Sequence, residues 1–179
     1  MGELAKRALT GAAYVALTLG AAMAGPVTTT LLFLPVCLLA AREFHSLAWR
    51  NAGNAPSLAI PLFAAAMTYL AVALSGFMVG WTPAMALVVV MAVFLIAVTD
   101  ILARSGPDPA KELGILLSTL VYIALPFALA PSFLGDGPRL FIGFRLLLWT
   151  TETGAYLAWR AFGRTKLMPR ISPKKTVEG

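Results

Sequence analysis

Residues 8–41, ALTGAAYVALTLGAAMAGPVTTTLLFLPVCLLAA, carry no charged side chain over 34 consecutive positions, and Arg7 and Arg42 close the run at its two ends. About 20 apolar residues cross a bilayer as an α-helix, so this run is long enough for two crossings. Gly25-Pro26 is the one point in it that tolerates a turn, because glycine accepts positive φ and proline has no N–H to give to a helix. The stretch therefore predicts a helical hairpin in lipid, with spans over residues 8–24 and 27–48.

A second uncharged run of 49 residues separates Arg50 from Asp100 and is interrupted at SGFMVGWTP, residues 75–83. It predicts spans over 57–74 and 84–102. The polar stretch ARSGPDPAKE, residues 103–112, precedes a fifth apolar segment over 113–130. PSFLGDGPR, residues 131–139, precedes a sixth over 140–162. The whole chain of 179 residues is 59% hydrophobic and 12% charged, against roughly half and a quarter in soluble domains, which excludes a soluble fold. The expected class is all-α: a polytopic integral membrane protein of six transmembrane helices over 1–162, followed by a basic cytoplasmic segment over 163–179.

Placing the N-terminus in the cytoplasm puts Lys6, Arg7, Arg42, Arg50, Arg104, Lys111 and the six bases after position 159 on that side, 12 of the 14 bases. Cytoplasmic loops of membrane proteins carry an excess of Lys and Arg, so both termini are expected in the cytoplasm. A competing reading makes the first span a cleavable signal peptide ending at Ala22-Met23-Ala24, but the apolar run continues directly into another span. Cys37 is the chain's only cysteine and His45 its only histidine, which excludes a disulfide framework and a multi-histidine or cysteine zinc cluster. Trp49, Tyr69, Trp81 and Trp149 are expected as interfacial rings, Asp100 as the exit of the fourth span to water, and Gly76 and Gly80 as loop glycines.

The sixth segment differs from the others because ionisable groups at membrane depth are costly and are usually retained for function. Arg145, Trp149, Glu152, Tyr156 and Arg160 follow one another at spacings of four, three, four and four, which puts all five on one helix face. That pattern fits an internal Arg145–Glu152 pair, lipid head-group contacts, or the polar wall of a cavity, with Gly154-Ala155 allowing close approach. Beyond it runs GRTKLMPRISPKKTVEG, residues 163–179. Residues 160–179 hold Arg160, Arg164, Lys166, Arg170, Lys174 and Lys175 against Glu178 alone, and so carry five of the six net positive charges. Such a tail anchors to anionic lipid in the simplest case. Pro169 and Pro173 bracket Ser172 and stiffen the backbone, and Lys174-Lys175-Thr176 offers two cations and a hydroxyl, an arrangement suited to phosphate. No GxxxxGK[ST] is present, so side chains and not a glycine-rich loop would hold it.

The stretch WTTETGAYLAWRAFGRTKLMPRISPKKTVEG, residues 149–179, resembles the W-x-x-D-T-G-A-Y-x-x-G-R-x-F-G-x-x-K-L-x-P-x-I-S-P-x-K-T-x-E-G block of the phosphatidate cytidylyltransferases, the CDP-diacylglycerol synthases of bacterial inner membranes. Looser similarity runs through KRALTGA, REFHSLA and VYIALPFAL. The resemblance implies attack by the phosphate of phosphatidic acid on the α-phosphorus of CTP with Mg²⁺ present. The partners it implies are CTP, phosphatidic acid and membrane lipids, with a second copy of the chain as a candidate and no nucleic acid. It implies catalytic roles for Glu152, Lys166, Lys174 and Lys175, with Glu152 also a metal ligand. It further implies substrate contacts from Tyr156, Arg160, Arg170, Ser172, Thr176 and Glu178, and Arg145, on the same helix face, is expected to bind substrate with them. Glu152 stands where the family has Asp, Trp159 where it has Gly, and Val177 where it has an aromatic residue. The family pattern continues past E-G with further spans and a K-D and D-R-x-D signature, so the chain is expected to be the N-terminal portion of such an enzyme. Two other readings are a non-catalytic membrane module binding anionic lipid or CTP, and a CTP-dependent lipid kinase.

Overall fold

The computed structural model describes residues 3–50, 55–104, 106, 108–135, 137–168 and 172–178. Its elements in chain order are α1 (Glu3–Ala24), α2 (Pro26–Ala48), α3 (Ala59–Ser75), α4 (Pro83–Arg104), α5 (Pro109–Ser118), a π-helical stretch (Thr119–Ala124), α6 (Leu125–Ser132), α7 (Arg139–Phe162) and strands β1 (Lys166–Met168) and β2 (Ser172–Thr176). Each predicted span coincides with helix to within a few residues, and the fold is nearly all-α. The two strands depart from the all-α expectation. Among the described residues, three helical segments are long and apolar enough to cross a membrane: Pro26–Ala48, Pro83–Arg104 and the continuous Pro109–Ser132. The apolar part of α1, Leu9–Ala24, and α3 are shorter. The charged groups and threonines of α7 keep it out of that set.

The chain divides into two compact units, Met1–Pro138 and Arg139–Gly179. In the first, Gly25 breaks the long apolar run with φ 117°, and Pro26 opens α2 where a missing N–H costs nothing. The hydroxyls of Thr28 and Thr29 donate to the Gly25 carbonyl at 2.8 and 3.0 Å, and that of Thr30 to Pro26 at 2.8 Å, so the threonines spend their polarity inside the helix. Residues Ala64, Val93, Ala97, Ile101, Leu116 and Leu120 form a core shared by α3, α4, α5 and the π-helical stretch. Small side chains on α3 let its neighbours approach closely, as is usual where lipid supplies no hydrophobic drive between helices.

Three features of this unit differ from the sequence expectation or refine it. Tyr69 and Trp49 are buried within the protein, and the Tyr69 hydroxyl donates to the Thr30 carbonyl at 2.9 Å, tying α3 to α2. A buried phenol needs such a partner. Trp81 likewise donates its indole N–H to the Ala71 carbonyl at 2.9 Å. Gly76 is a close-packing point as well as a loop residue, since a Cβ there would fall 2.3 Å from the Ser132 carbonyl oxygen. The π-helical stretch ends at Leu125, whose N–H donates to Leu120 five residues back, directly before Pro126. Proline removes one helical hydrogen bond and its ring collides with the carbonyl four residues earlier, and a wider turn relieves both.

At the end of this unit where α2, α4 and α5 carry their charges, Arg104 pairs with Asp100 at 2.5 Å and approaches Glu112 at 3.9 Å. The Lys111 ammonium stands 4.3 Å over the Trp49 ring. Asp108 caps α5 by accepting from the Lys111 N–H at 3.0 Å. Asp100 thus ends its helix in an i,i+4 ion pair, as its expected position at the exit to water allows.

Candidate functional site

In the second unit, α7 presents Arg145, Trp149, Glu152, Tyr156 and Arg160 along one face, as the spacing predicts. The Arg145 guanidinium carbon lies 5.2 Å from the centre of the Phe141 ring, one turn back, which steadies the cation by its attraction to the ring face. Tyr156 and Trp159 pack ring to ring at 5.8 Å between centroids, tilted by 42°. Trp159, which stands in place of the family glycine, therefore supports the side chain of Tyr156. Glu152 and Arg160 are exposed. Beside this face a shallow groove of about 390 Å³ is lined by Leu146, Trp149, Thr150, Thr153, Gly154 and Leu157. A side chain at Gly154 would meet nothing within 4 Å, so this glycine keeps the groove open. The hydroxyls of Thr150 and Thr151 are turned back to Leu146 and Leu147 at 2.7 and 3.1 Å.

The basic segment is not an extended tail. β1 and β2 pair antiparallel, Lys166 with Thr176 and Met168 with Ser172, so that the single residue Leu167 is spanned by residues 173–175 of the other strand. This bulge falls where Pro173 has no N–H to give to the ladder, and bulges of this kind re-aim side chains. Lys166 and Lys175 are exposed, Ser172 is half-buried, and Lys174 takes its place in β2. Arg170 lies outside the described residues.

Thr176 and Glu178 behave differently from the lysines. Thr176 is buried, and its Oγ1 has no hydrogen-bond partner. A Cβ on Gly163 would lie 3.1 Å from that oxygen and 2.3 Å from the Trp159 carbonyl, which is why the turn out of α7 takes a glycine. The Glu178 carboxylate accepts from the Thr165 N–H at 3.1 Å and from the Arg164 N–H at 3.3 Å. Hydrogen bonds from its own backbone N–H, then from Thr165 and Arg164, hold its carboxyl below the usual glutamate range.

The structure thus brings the predicted residues into two sets: Arg145, Glu152, Tyr156 and Arg160 on one face of α7, and Lys166, Ser172, Lys174, Lys175, Thr176 and Glu178 on one hairpin. Among the described residues no group of three or more His, Cys, Asp or Glu side chains comes together. Glu152 offers one carboxylate, which suits an ion held chiefly by phosphate oxygens and water, as Mg²⁺ usually is. The hairpin itself was not anticipated, because β1 is three residues long and gives no readable alternation.

Residues 5–179 match the profile of the cytidylyltransferase family. The chain belongs to that family. Among curated proteins it is similar to the phosphatidate cytidylyltransferases of Staphylococcus epidermidis and Staphylococcus haemolyticus, 38% identical over 63 residues in each case. It is also similar to that of Staphylococcus aureus, 36% identical over 63 residues. Each match covers 35% of this chain and 24% of the relative, so the chain spans about a quarter of the length of the curated relatives it matches. No solved structure matches it.

Proposed function

We propose that this protein transfers a cytidylyl group from CTP to phosphatidic acid, releasing pyrophosphate and forming CDP-diacylglycerol. A phosphate oxygen of the lipid forms a bond to the α-phosphorus of CTP, and the bond from that phosphorus to the β-phosphate oxygen breaks. The observation that carries this reading is the hairpin, whose bulge and first strand display Lys166 and Lys175 to solvent in a chain whose family handles cytidine nucleotides.

Both substrates are polyanions, and their approach requires fixed positive charge. Lys166, Lys174, Lys175 and Arg170 neutralise phosphate oxygens by charge-assisted hydrogen bonds, and Ser172 adds a hydroxyl donor. On α7, Arg145 and Arg160 bracket Glu152 and Tyr156 and face the same chemistry. Glu152 would offer one carboxylate to a Mg²⁺ ion, which would supply positive charge to the phosphate oxygens when bound. The reaction then depends mainly on positioning and electrostatics. The protein sits in the bacterial inner membrane with six spans and both termini in the cytoplasm, a reading supported by the six helical stretches and by the 12 of 14 bases assigned to one side.

The test is isotope placement. Purified protein in lipid nanodiscs is incubated with phosphatidic acid, Mg²⁺ and CTP labelled at either the α- or the γ-phosphorus. The expected result is α-label in the lipid and γ-label in pyrophosphate. Label from the γ-position in the lipid would instead show a CTP-dependent lipid kinase. CTP binding without either product would show a non-catalytic module.

A further inference from the structure

The basic segment contains one acid, and its carboxylate is given to the main chain just beyond the ladder. We propose that Glu178 is a positioning residue: its carboxylate clasps the base of the hairpin to the chain leaving α7, and so positions Lys166 and Lys175 for phosphate. The inference deepens the cytidylyltransferase reading and rests on it for the identity of the phosphate.

Three contacts define the clasp. The Thr165 N–H donates to Glu178 Oε1 at 3.1 Å and to Oε2 at 3.3 Å, and the Arg164 N–H donates to Oε2 at 3.3 Å. The Thr165 carbonyl in turn accepts from the Val177 N–H at 2.9 Å, so Thr165 is held from both sides by residues 177 and 178. The ladder pair Lys166–Thr176 is the next rung. Glu178 therefore closes the open end of a hairpin too short to be stable alone, since two-stranded sheets are marginal in water. A carboxylate accepting main-chain N–H groups is a stronger clasp than a neutral acceptor.

The same rung sorts the motif by direction. Thr176 is buried beside Gly163 while Lys175 is exposed. The residues that resemble a phosphate motif thus divide into exposed ones, Lys166 and Lys175, and ones engaged by the hairpin and the chain leaving α7, Thr176 and Glu178.

The experiment uses the full chain in lipid nanodiscs with the substitutions Glu178→Ala and Glu178→Gln and two readouts. The first is amide hydrogen exchange over residues 163–168. The second is equilibrium binding of CTP. With Glu178→Ala, exchange at Arg164 and Thr165 accelerates and CTP affinity falls about tenfold, the size expected for loss of one charged hydrogen bond. Glu178→Gln keeps the length and one acceptor oxygen and recovers part of both. Unchanged exchange in Glu178→Ala overturns the clasp. Faster exchange with unchanged CTP affinity overturns its role in aiming the lysines. Failure of the unsubstituted chain to bind CTP, with exchange still responding to Glu178→Ala, refutes the nucleotide reading and with it the aiming role, and leaves the clasp standing as a purely structural contact.

Discussion

The two compact units of this protein spend their sequence in opposite ways. In residues 1–138, several polar side chains bond inside the helices that carry them or against a neighbouring backbone: Thr29 and Thr30 bond one turn back, and Tyr69 and Trp81 reach main-chain carbonyls. In residues 139–179, the charged groups Glu152, Arg160, Lys166 and Lys175 are exposed, Thr176 is buried, and the Glu178 carboxylate accepts main-chain N–H groups. Along the apolar helices of the first unit these hydroxyls and rings spend their polarity on main-chain carbonyls. The second holds its polarity in reserve. On the proposed function, that division separates anchoring from chemistry.

Substitutions can break or sharpen this contrast. The largest effect is expected from Leu116→Ala, which empties a fully buried site in the helical core and should cost about 2–5 kcal/mol of stability. Thermal unfolding in detergent measures it, and CTP affinity of the folded fraction should not change. Gly163→Ala comes next. Its new Cβ would stand 2.3 Å from the Trp159 carbonyl, and the forced shift should cost roughly 1–3 kcal/mol of local stability, read as faster amide exchange in the hairpin. Tyr69→Phe removes one buried hydrogen bond and should lower stability by about 1 kcal/mol without touching nucleotide binding.

The smallest effect is a pH dependence. The carboxyl of Glu178 titrates below the ordinary glutamate value when the hairpin is formed, so its contribution is fully present above that value and is lost as pH falls through the depressed one. The Thr165 amide resonance should stay constant from neutral pH through the usual glutamate range and move only below it. A shift centred on the ordinary value would show that the clasp is not formed.

Much of the scaffold was legible in the sequence, because hydrophobic runs, Gly25-Pro26 and the breaks before Pro83 and Pro109 are strong signals with direct physical causes. The periodicity of Arg145, Trp149, Glu152, Tyr156 and Arg160 was equally plain, since it needs only a helix. The burial of Tyr69 and Trp49 was not legible: an aromatic ring near a span end reads alike whether it meets head groups or a neighbouring helix. The π-helical stretch depends on a register slip ahead of Pro126 that composition does not reveal. In the tail, Thr176 and Glu178 read as ligand contacts because they sit among lysines; the structure shows that the ladder turns Thr176 inward and gives Glu178 to the main chain. A three-residue strand with an irregular register leaves no alternation from which that could be inferred.

The central claim is that phosphate handling belongs to the hairpin and not to cationic charge in general. Its most direct test is a matched removal of two positive charges from each unit: Lys166→Ala with Lys175→Ala, against Arg42→Ala with Arg50→Ala, with CTP affinity measured in the same nanodiscs. The hairpin pair should weaken binding by about 100-fold, the worth of two charge-assisted contacts, while the other pair changes it by less than about twofold. Equal losses from both pairs, or none from the hairpin pair, would contradict the account.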